Sequence, residues 1–345
     1  MSGGVDSSVA AYLLKKQGYE VIGVTMCFGI QGIDDERPRC CDTRAVEDAK
    51  KVCDKLEISH YEMDFSNQLQ KDVIENFISE YLKGRTPNPC VECNRHIKFD
   101  ALLKKALGMG FDYLATGHYA SVEKNGQERY FLKKPLDKVK DQTYFLYTIQ
   151  YEFLKNIIFP LSKYTKEEVR QIAREAGLSV ADKLQSQDIC FVPGRNYGKF
   201  IKENIGTLKP GPILDLDGNV LGEHKGVFLY TIGQREGLGI SFRAPLYVLA
   251  IDPEKNQIVV GEKKDLLSKE LIAEDINLLN ADLSGDIFGK IRYTHKEALC
   301  RLKKLNGELK ISFEHPQSAV TPGQSVVLYK GDVVLGGGII KEVLR

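Results

Sequence analysis

The chain opens Met1-Ser2-Gly3-Gly4-Val5-Asp6-Ser7-Ser8 and runs at once into the helical stripe Val9, Ala10, Leu13 and Leu14, which Gly18 ends. Two glycines let the backbone turn tightly and come close to a ligand. Ser7 and Ser8 add hydroxyls beside the free N–H groups of the first helical turn. Orphan amides and the helix dipole together make an anion site. The loop lacks the lysine of the G-x-x-x-x-G-K-S/T phosphate loop. It therefore suits the pyrophosphate end of a nucleotide better than transfer of a γ-phosphoryl group. The plain alternative is a capped surface helix, with Asp or Ser at the N-cap.

Outward from the loop, Glu20 to Met26 has strand character. Asp42 is placed to cap a helix with the apolar face Val46, Ala49, Cys53 and Leu56. His60 to Phe65 reads as a strand and Ser66 to Leu82 as a helix. Phe99, Leu102, Leu103, Ala106 and Leu107 mark another helix, and Asp112 to Ala115 a strand ending at Thr116-Gly117-His118. This alternation predicts an α/β fold with a doubly wound parallel sheet. Ligands in such sheets bind beyond the carboxyl ends of strands, where Met26 and Thr116-Gly117-His118 lie. A loop of this kind follows a buried strand, and the chain begins at the loop, so the first strand is expected to be missing. Thr165-Lys166-Glu167-Glu168 is a capping box before Val169, Ile172, Ala173 and Ala176. After about residue 195, short alternating runs and turns such as Pro210-Gly211-Pro212 and Asp217-Gly218-Asn219 predict β-rich material. A break near Lys263-Lys264-Asp265 divides it. The expected domains are 1–195, 196–266 and 267–345.

At 345 residues, two or three domains are expected. Apolar content of 43% and charged content of 28% are ordinary for a globular chain. The formal charge of +1 confines any nucleic-acid site to a local patch. No apolar run nears the ~20 residues of a membrane span, and no signal peptide precedes the loop. The expected setting is cytoplasmic, without membrane contact. There the eight cysteines read as thiols, metal ligands or catalytic groups before structural disulfides.

Arg85-Thr86-Pro87-Asn88-Pro89-Cys90-Val91-Glu92-Cys93-Asn94 reads as a proline-stiffened loop holding a C-x-x-C pair. Alone, that pair fits half a zinc site, a redox dithiol or part of a cluster, and no second pair completes a zinc ribbon. Cys190, in Ser186-Gln187-Asp188-Ile189-Cys190-Phe191, reads as a thiol at a core edge or a small buried hydrophobe. Cys27, Cys53 and Cys300 read as structural, Cys40-Cys41 as not obviously chelating, and His60 and His224 as surface or satisfied core residues. Lys133, Lys134, Lys138 and Lys140 make a basic loop, which taken alone is a solvated face.

The run Ser-Gly-Gly-x-Asp-Ser resembles the fingerprint of the PP-loop ATP pyrophosphatases, which cleave ATP between the α and β phosphates. Five further motifs follow in order. They are Asn88-Pro89-Cys90 with Cys93-Asn94-Arg95-His96-Ile97-Lys98-Phe99, then Thr116-Gly117-His118-Tyr119-Ala120, then Lys140-Asp141-Gln142-Thr143-Tyr144-Phe145-Leu146. Ser186 to Phe191 and Thr231-Ile232-Gly233-Gln234-Arg235 complete the set. Together they resemble the bacterial tRNA-specific 2-thiouridylases over nearly the whole length.

That resemblance implies a PP-loop catalytic domain, a small β-rich middle domain and a C-terminal, tRNA-contacting β-barrel. It implies ATP with magnesium as cosubstrate, adenylation of O2 of the wobble uridine, attack by sulfur and loss of AMP. By match, Met1, Ser2, Gly3, Gly4, Val5, Asp6, Ser7 and Ser8 hold the phosphates, with Met26 and Gly117 beside the nucleotide. Cys190 matches the cysteine that carries a persulfide delivered by a partner protein. Cys93 matches the one that attacks it, leaving a Cys93–Cys190 disulfide. Such chemistry needs a thiolate, and Arg95, His96 and Lys98 are placed to lower the Cys93 pKa or simply to form a solvated basic loop. Asn88, Pro89 and Cys90 match the segment at the target base. His118, Lys140, Asp141, Gln142, Arg292, Tyr293 and Gln324 match further tRNA contacts. The tRNA partners implied are those for Lys, Glu and Gln, and the expected state is a monomer. Cys90 stands where many members carry Asp, so Cys90, Cys93 and Cys190 also suit a 4Fe–4S cluster with one open iron. Rival readings are a PP-loop synthetase adenylating a small substrate and a tRNA-binding protein with a degenerate nucleotide site.

Overall fold

The structure, a computed structural model, describes residues 1–29, 43–184, 189–192, 197–206, 208–280 and 282–344. Asp42, Cys40, Cys41 and Ser186 to Asp188, named above, lie outside them. The chain divides into two compact units. One holds Met1–Val73, Cys90–Pro193 and Gly331–Val334, the other Ile74–Pro89, Gly194–Lys330 and Leu335–Arg345.

In the first unit the helix Val5–Lys16 buries Val5, Val9, Ala10, Leu13 and Leu14. Its core partners include Val52, Leu56, Leu161, Val169 and Ala173. The strand β1 (Gly23–Cys27) runs parallel to β2 (His60–Asp64), with Gly23 opposite His60 and Cys27 opposite Asp64. Thr43–Lys55 is the helix between them and buries Ala49 and Cys53. β3 (Leu114–Ala115) lies parallel to β6 (Ile157–Ile158). Parallel pairs joined through helices are the α/β arrangement read from the sequence. Between them β4 (Ser121–Lys124) and β5 (Tyr130–Lys133) form an antiparallel hairpin.

Two local expectations are corrected. The stretch around the C-x-x-C pair is not a loop: a helix begins at Pro89 and winds on through Cys93–Leu102, in π-helical turns, and Leu103–Gly108. Proline is well suited to a first helical position, because its missing N–H would have no partner there and its φ is already helical. The lysines thought to form a basic loop are partly sheet. Lys133 lies in β5 and pairs with Glu123 at 2.6 Å, and Lys138 pairs with Asp332 at 2.8 Å.

The helix Lys166–Glu175 carries both bonds of the predicted capping box. The Thr165 hydroxyl accepts from the Glu168 amide, and the Glu168 carboxylate accepts from the Thr165 amide. Val169 and Ala173 are fully buried against the first helix's core. Thr165→Ala is expected to lower stability by about 1 kcal/mol in denaturant unfolding, with Thr165→Ser close to wild type.

In the second unit β7 (Gly211–Leu214), β8 (Val220–His224), β9 (Tyr247–Asp252) and β10 (Gln257–Gly261) make a sheet in the order β8-β7-β10-β9. Its core is Ile213, Val248, Ile258 and Val260. His224, buried, accepts from the Gly226 amide and bonds the Asn256 carbonyl, so it is a satisfied core residue. β11 (Leu267–Leu278), β12 (Ile287–Lys290), β13 (Ala298–Lys304), β14 (Leu309–Ser318), β15 (Ser325–Lys330) and β16 (Val333–Leu344) follow in the order β11-β14-β13-β12-β15-β16. β16 returns to pair with β11, closing a six-stranded barrel that has no free edge. The closure passes through Gly336, where a Cβ would sit 2.1 Å from the Asn277 carbonyl oxygen. Among the described residues no helix is long and apolar enough to cross a membrane.

Candidate nucleotide and thiol site

Gly4 is the N-cap of the first helix and provides no side-chain cap, so the amides of the first turn stay open toward the loop. The N-cap is thus glycine, not the Asp or Ser of the plain alternative. Gly3 has φ +65°, and a Cβ there would fall 2.2 Å from the Ala45 carbonyl oxygen. Only glycine meets both conditions. The hydroxyls brace the turn from within: Ser7 and Ser8 each donate to the Gly4 carbonyl, and the Ser2 amide donates to Ser7 Oγ at 3.2 Å. Lys183 Nζ holds the outside of the loop, donating to the Gly3 carbonyl at 2.9 Å and to Asp48 at 2.7 Å.

Asp6 does not point free into this space. Its Oδ1 accepts from the Tyr119 hydroxyl at 3.1 Å and from Lys166 Nζ at 2.6 Å. Lys166 is only 8% exposed. Burial, then the Asp6 carboxylate, pushes the Tyr119 phenol upward, so it stays a protonated donor. Sequence reasoning gives no role in this site to Tyr119, Lys166 or Lys183. Lys166 left a faint trace, since a lysine at the start of a helix opposes the dipole and calls for an anionic partner.

Thr116-Gly117-His118 follows β3 directly. A Cβ on Gly117 would lie 2.7 Å from Asp6 C and Ser7 N, so the turn rests on the backbone of the anion loop. His118 packs against Phe99, on the helix that carries Cys90 and Cys93, with ring centroids 5.8 Å apart. Burial, then the Lys98 ammonium, holds its imidazole well below the usual range, and Thr116 Oγ1 sits 2.8 Å from Nδ1. One turn thus ties the anion loop to the thiol helix.

Cys90 is exposed and Cys93 half-buried on the first turns of that helix. Cys190 is exposed too, with Phe191 and Val192 buried behind it, which is the core-edge placement expected. Cys93 acts on the titration of Cys90, and both act on that of Cys190. Cys190 is pushed up to about 12, first by burial, then by charge on Cys93 and Cys90. Cys90 and Cys190 expose surface, yet the protein around each sulfur outweighs the water that reaches it.

The lowered Cys93 pKa expected from the basic residues is corrected. Burial raises that thiol, and among Arg95, His96 and Lys98 only Lys98 opposes the rise. His96 is paired instead with buried Glu92 at 3.2 Å. Lys98 stands five residues beyond Cys93 in π-helical turns of about 4.4 residues, so it lies one turn along the same face. Its charge also reaches Cys90, His118 and Cys190. Among the described residues it has no ion pair.

Three thiolates are a sound donor set for an iron–sulfur cluster. Among the described residues no three His, Cys, Asp or Glu side chains are grouped to hold a metal ion. Met26 lies half-buried in β1 opposite Met63.

The residues matched to tRNA contacts divide between the two units. In the first, Gln142 Oε1 accepts from the Tyr119 amide at 2.9 Å, bracing the segment to the Thr116–His118 turn. Asp141 is buried and accepts from Thr143 at both its amide and hydroxyl. The Lys140 amide donates to Asp137. In the second, Gln324 Nε2 donates to the carbonyls of Thr86 and Pro87, just ahead of Asn88 and Pro89. Arg292 donates to the Ile232 carbonyl and to Thr321, and Lys290 lies 5.6 Å over the Tyr293 ring.

Comparison with known proteins identifies the family. Residues 1–194 match the family model "tRNA methyl transferase HUP domain". Residues 198–262 match the "tRNA methyl transferase PRC-barrel domain", and 268–340 the "Aminomethyltransferase beta-barrel domain". The chain is 51% identical over 345 residues to tRNA-specific 2-thiouridylase MnmA 1 of Syntrophus aciditrophicus, covering 100% of this chain and 92% of the relative. It is 49% identical over 351 residues to tRNA-specific 2-thiouridylase MnmA of Clostridium botulinum strain Alaska E43, covering 100% and 97%. Among solved structures, the U34-tRNA thiolase NcsA from Methanococcus maripaludis, with its 4Fe–4S cluster, aligns at 22% identity. That alignment has a TM-score of 0.38 and covers 59% of this chain and 63% of the other, too weak a likeness to carry an argument.

Proposed function

Since the chain belongs to the family of tRNA-specific 2-thiouridylases, we propose that it replaces O2 of the wobble uridine of tRNA with sulfur at the expense of ATP. The observation that supports this best is the Thr116–His118 turn, which rests on the anion loop through Gly117 and on the thiol helix through His118. Nucleotide activation and sulfur delivery need that proximity.

The open amides of the first helix receive the phosphates of the magnesium complex of ATP. Uridine O2 attacks the α-phosphorus, the bond to the β-phosphate oxygen breaks, and pyrophosphate leaves. A partner protein loads Cys190 as a persulfide. The Cys93 thiolate attacks Cys190 Sγ, forming the Cys93–Cys190 disulfide and expelling the outer sulfur as hydrosulfide. That sulfur gains two electrons and the two thiols lose two. Hydrosulfide adds at C2 and AMP departs with the original oxygen. A cytoplasmic dithiol then reduces the disulfide. Residues 1–195 carry this chemistry. Residues 267–345 hold tRNA, Arg292, Tyr293 and Gln324 among them, with the tRNAs for Lys, Glu and Gln as substrates, and 196–266 is the small β-rich domain between.

Full-length protein given ATP, magnesium, a U34-containing tRNA transcript and a persulfide donor tests the reading. AMP and 2-thiouridine are expected in equal amounts, with ATP–pyrophosphate exchange only when tRNA is present. Exchange without tRNA would mark a small-substrate synthetase. Binding of tRNA with no exchange would mark a degenerate nucleotide site.

Because burial raises Cys93, its thiolate fraction grows with pH, so single-turnover sulfur release should quicken as pH rises through 7 to 9. Lys98→Met removes the charge that opposes the rise. The profile should move further alkaline, and the rate at pH 7.5 should fall about threefold per unit of added pKa, since lost thiolate is partly offset by higher nucleophilicity. An unmoved profile would show that Lys98 does not act on Cys93.

A further inference from the structure

Arg235, residues 237–240 and residues 242–246 of the second unit bound a cavity of about 460 Å³ that no step above uses. We infer that it is a second RNA site, which takes one unstacked nucleotide of the substrate with its base on Phe242 and the flanking phosphates on Arg235 and Arg243. The inference rests on RNA being the substrate.

The frame of the cavity is preformed. Leu238 and Leu246 are buried in the middle-domain core, and Ile240 packs against it. Gln234 pins the entry: its Oε1 accepts from the Thr231 amide, its carbonyl from the Val248 amide, and its Nε2 donates to the Glu236 carbonyl. A braced backbone of this kind loses little freedom when a ligand binds.

What the frame presents is unusual for this chain. Phe242 is 43% exposed, and it is the one phenylalanine so exposed among the described residues. The Arg243 guanidinium lies 5.9 Å over its ring. Arg235 and Arg243 are both exposed, and among the described residues neither forms an ion pair. Two guanidinium groups without an ion pair among the described residues, beside an exposed aromatic ring in a chain of formal charge +1, form a local site for a polyanion. Unpaired RNA bases are held by aromatic faces and arginine planes, and phosphates by arginine.

The test is the affinity of full-length protein for a U34-containing tRNA transcript across potassium chloride concentrations, with 2-thiouridine formation measured alongside. Arg235→Ala/Arg243→Ala should weaken binding tenfold or more at about 0.1 M salt. It should also flatten the log–log salt dependence by about 1.4, at about 0.7 per phosphate contact. Phe242→Ala should weaken binding about tenfold with the salt slope unchanged, and Phe242→Trp should restore it. All three positions of change are on the surface, so melting temperatures should match wild type. Variants that bind as wild type does, while wild type binds and thiolates, overturn the site and leave the proposed function standing. A weakened arginine variant beside an unaffected Phe242→Ala reduces the patch to electrostatic steering and overturns the base pocket. Failure of wild type to bind tRNA overturns both.

Discussion

Cys190→Ala should abolish formation of 2-thiouridine, a loss on the order of 10³-fold or more, while affinity for tRNA stays within about twofold. The size follows from the role. A carrier that holds the transferred atom in a covalent bond has no partial substitute, and neither alanine nor serine forms a persulfide. The selectivity follows from the placement. Cys190 is exposed, and the anchors of its segment are Phe191 and Val192, buried behind it. Cys190 is exposed as a residue, so removing its Sγ disturbs little packing and melting temperature should hardly move. Cys53→Ala supplies the contrast. That thiol is fully buried on the helix Thr43–Lys55. Its loss should cost on the order of 1–2 kcal/mol of stability and leave the chemistry intact. Nucleoside mass spectrometry of the tRNA decides between these outcomes, and a Cys190→Ala protein that still thiolates would remove Cys190 as carrier.

Gly117→Ala should be nearly as damaging by a different route. The added methyl would sit 2.7 Å from Asp6 C and Ser7 N. Both are backbone atoms at the start of a helix whose face is buried, so they have no rotamer by which to yield. The anion loop must move, and with it the open amides meant for the phosphates. A shift of about 1 Å in such a site lowers turnover by about 10²-fold. Overpacking should also cost about 1–3 kcal/mol in unfolding experiments. Gly126→Ala is the control, because a Cβ there meets nothing within 4 Å. Exchange of ATP and pyrophosphate is the measurement. A Gly117→Ala enzyme within twofold of wild type would mean that the nucleotide is held elsewhere.

Much of this was legible because it is local. The tight turn at Gly3, the stripe Val9 to Leu14 and the reciprocal bonds of Thr165 and Glu168 are set by neighbours a few residues away, and they stand as read. The helix at Pro89 was hidden because proline signals a break more often than a first helical turn, and here it is the latter. Asp6 reads as part of a phosphate loop. Its partners Tyr119 and Lys166 lie 113 and 160 residues away, and no periodicity announces them. Charge near Cys93 was legible, but the sign of the shift was not, because desolvation depends on packing that residue types alone do not reveal. Closure of the barrel through Gly336 is likewise a tertiary fact. The run Gly336-Gly337-Gly338 shows only that something must come close.

The meeting of two thiols 97 positions apart in one sulfur-transfer site is tested most directly in a single turnover without reductant. Protein loaded as the Cys190 persulfide is mixed with ATP, magnesium and U34-containing tRNA, quenched with an alkylating agent and digested for peptide mass spectrometry. One Cys93–Cys190 disulfide per 2-thiouridine is the predicted result. Stoichiometric 2-thiouridine with both cysteines recovered as free thiols, or iron and labile sulfide in equal stoichiometry with active protein, would contradict it.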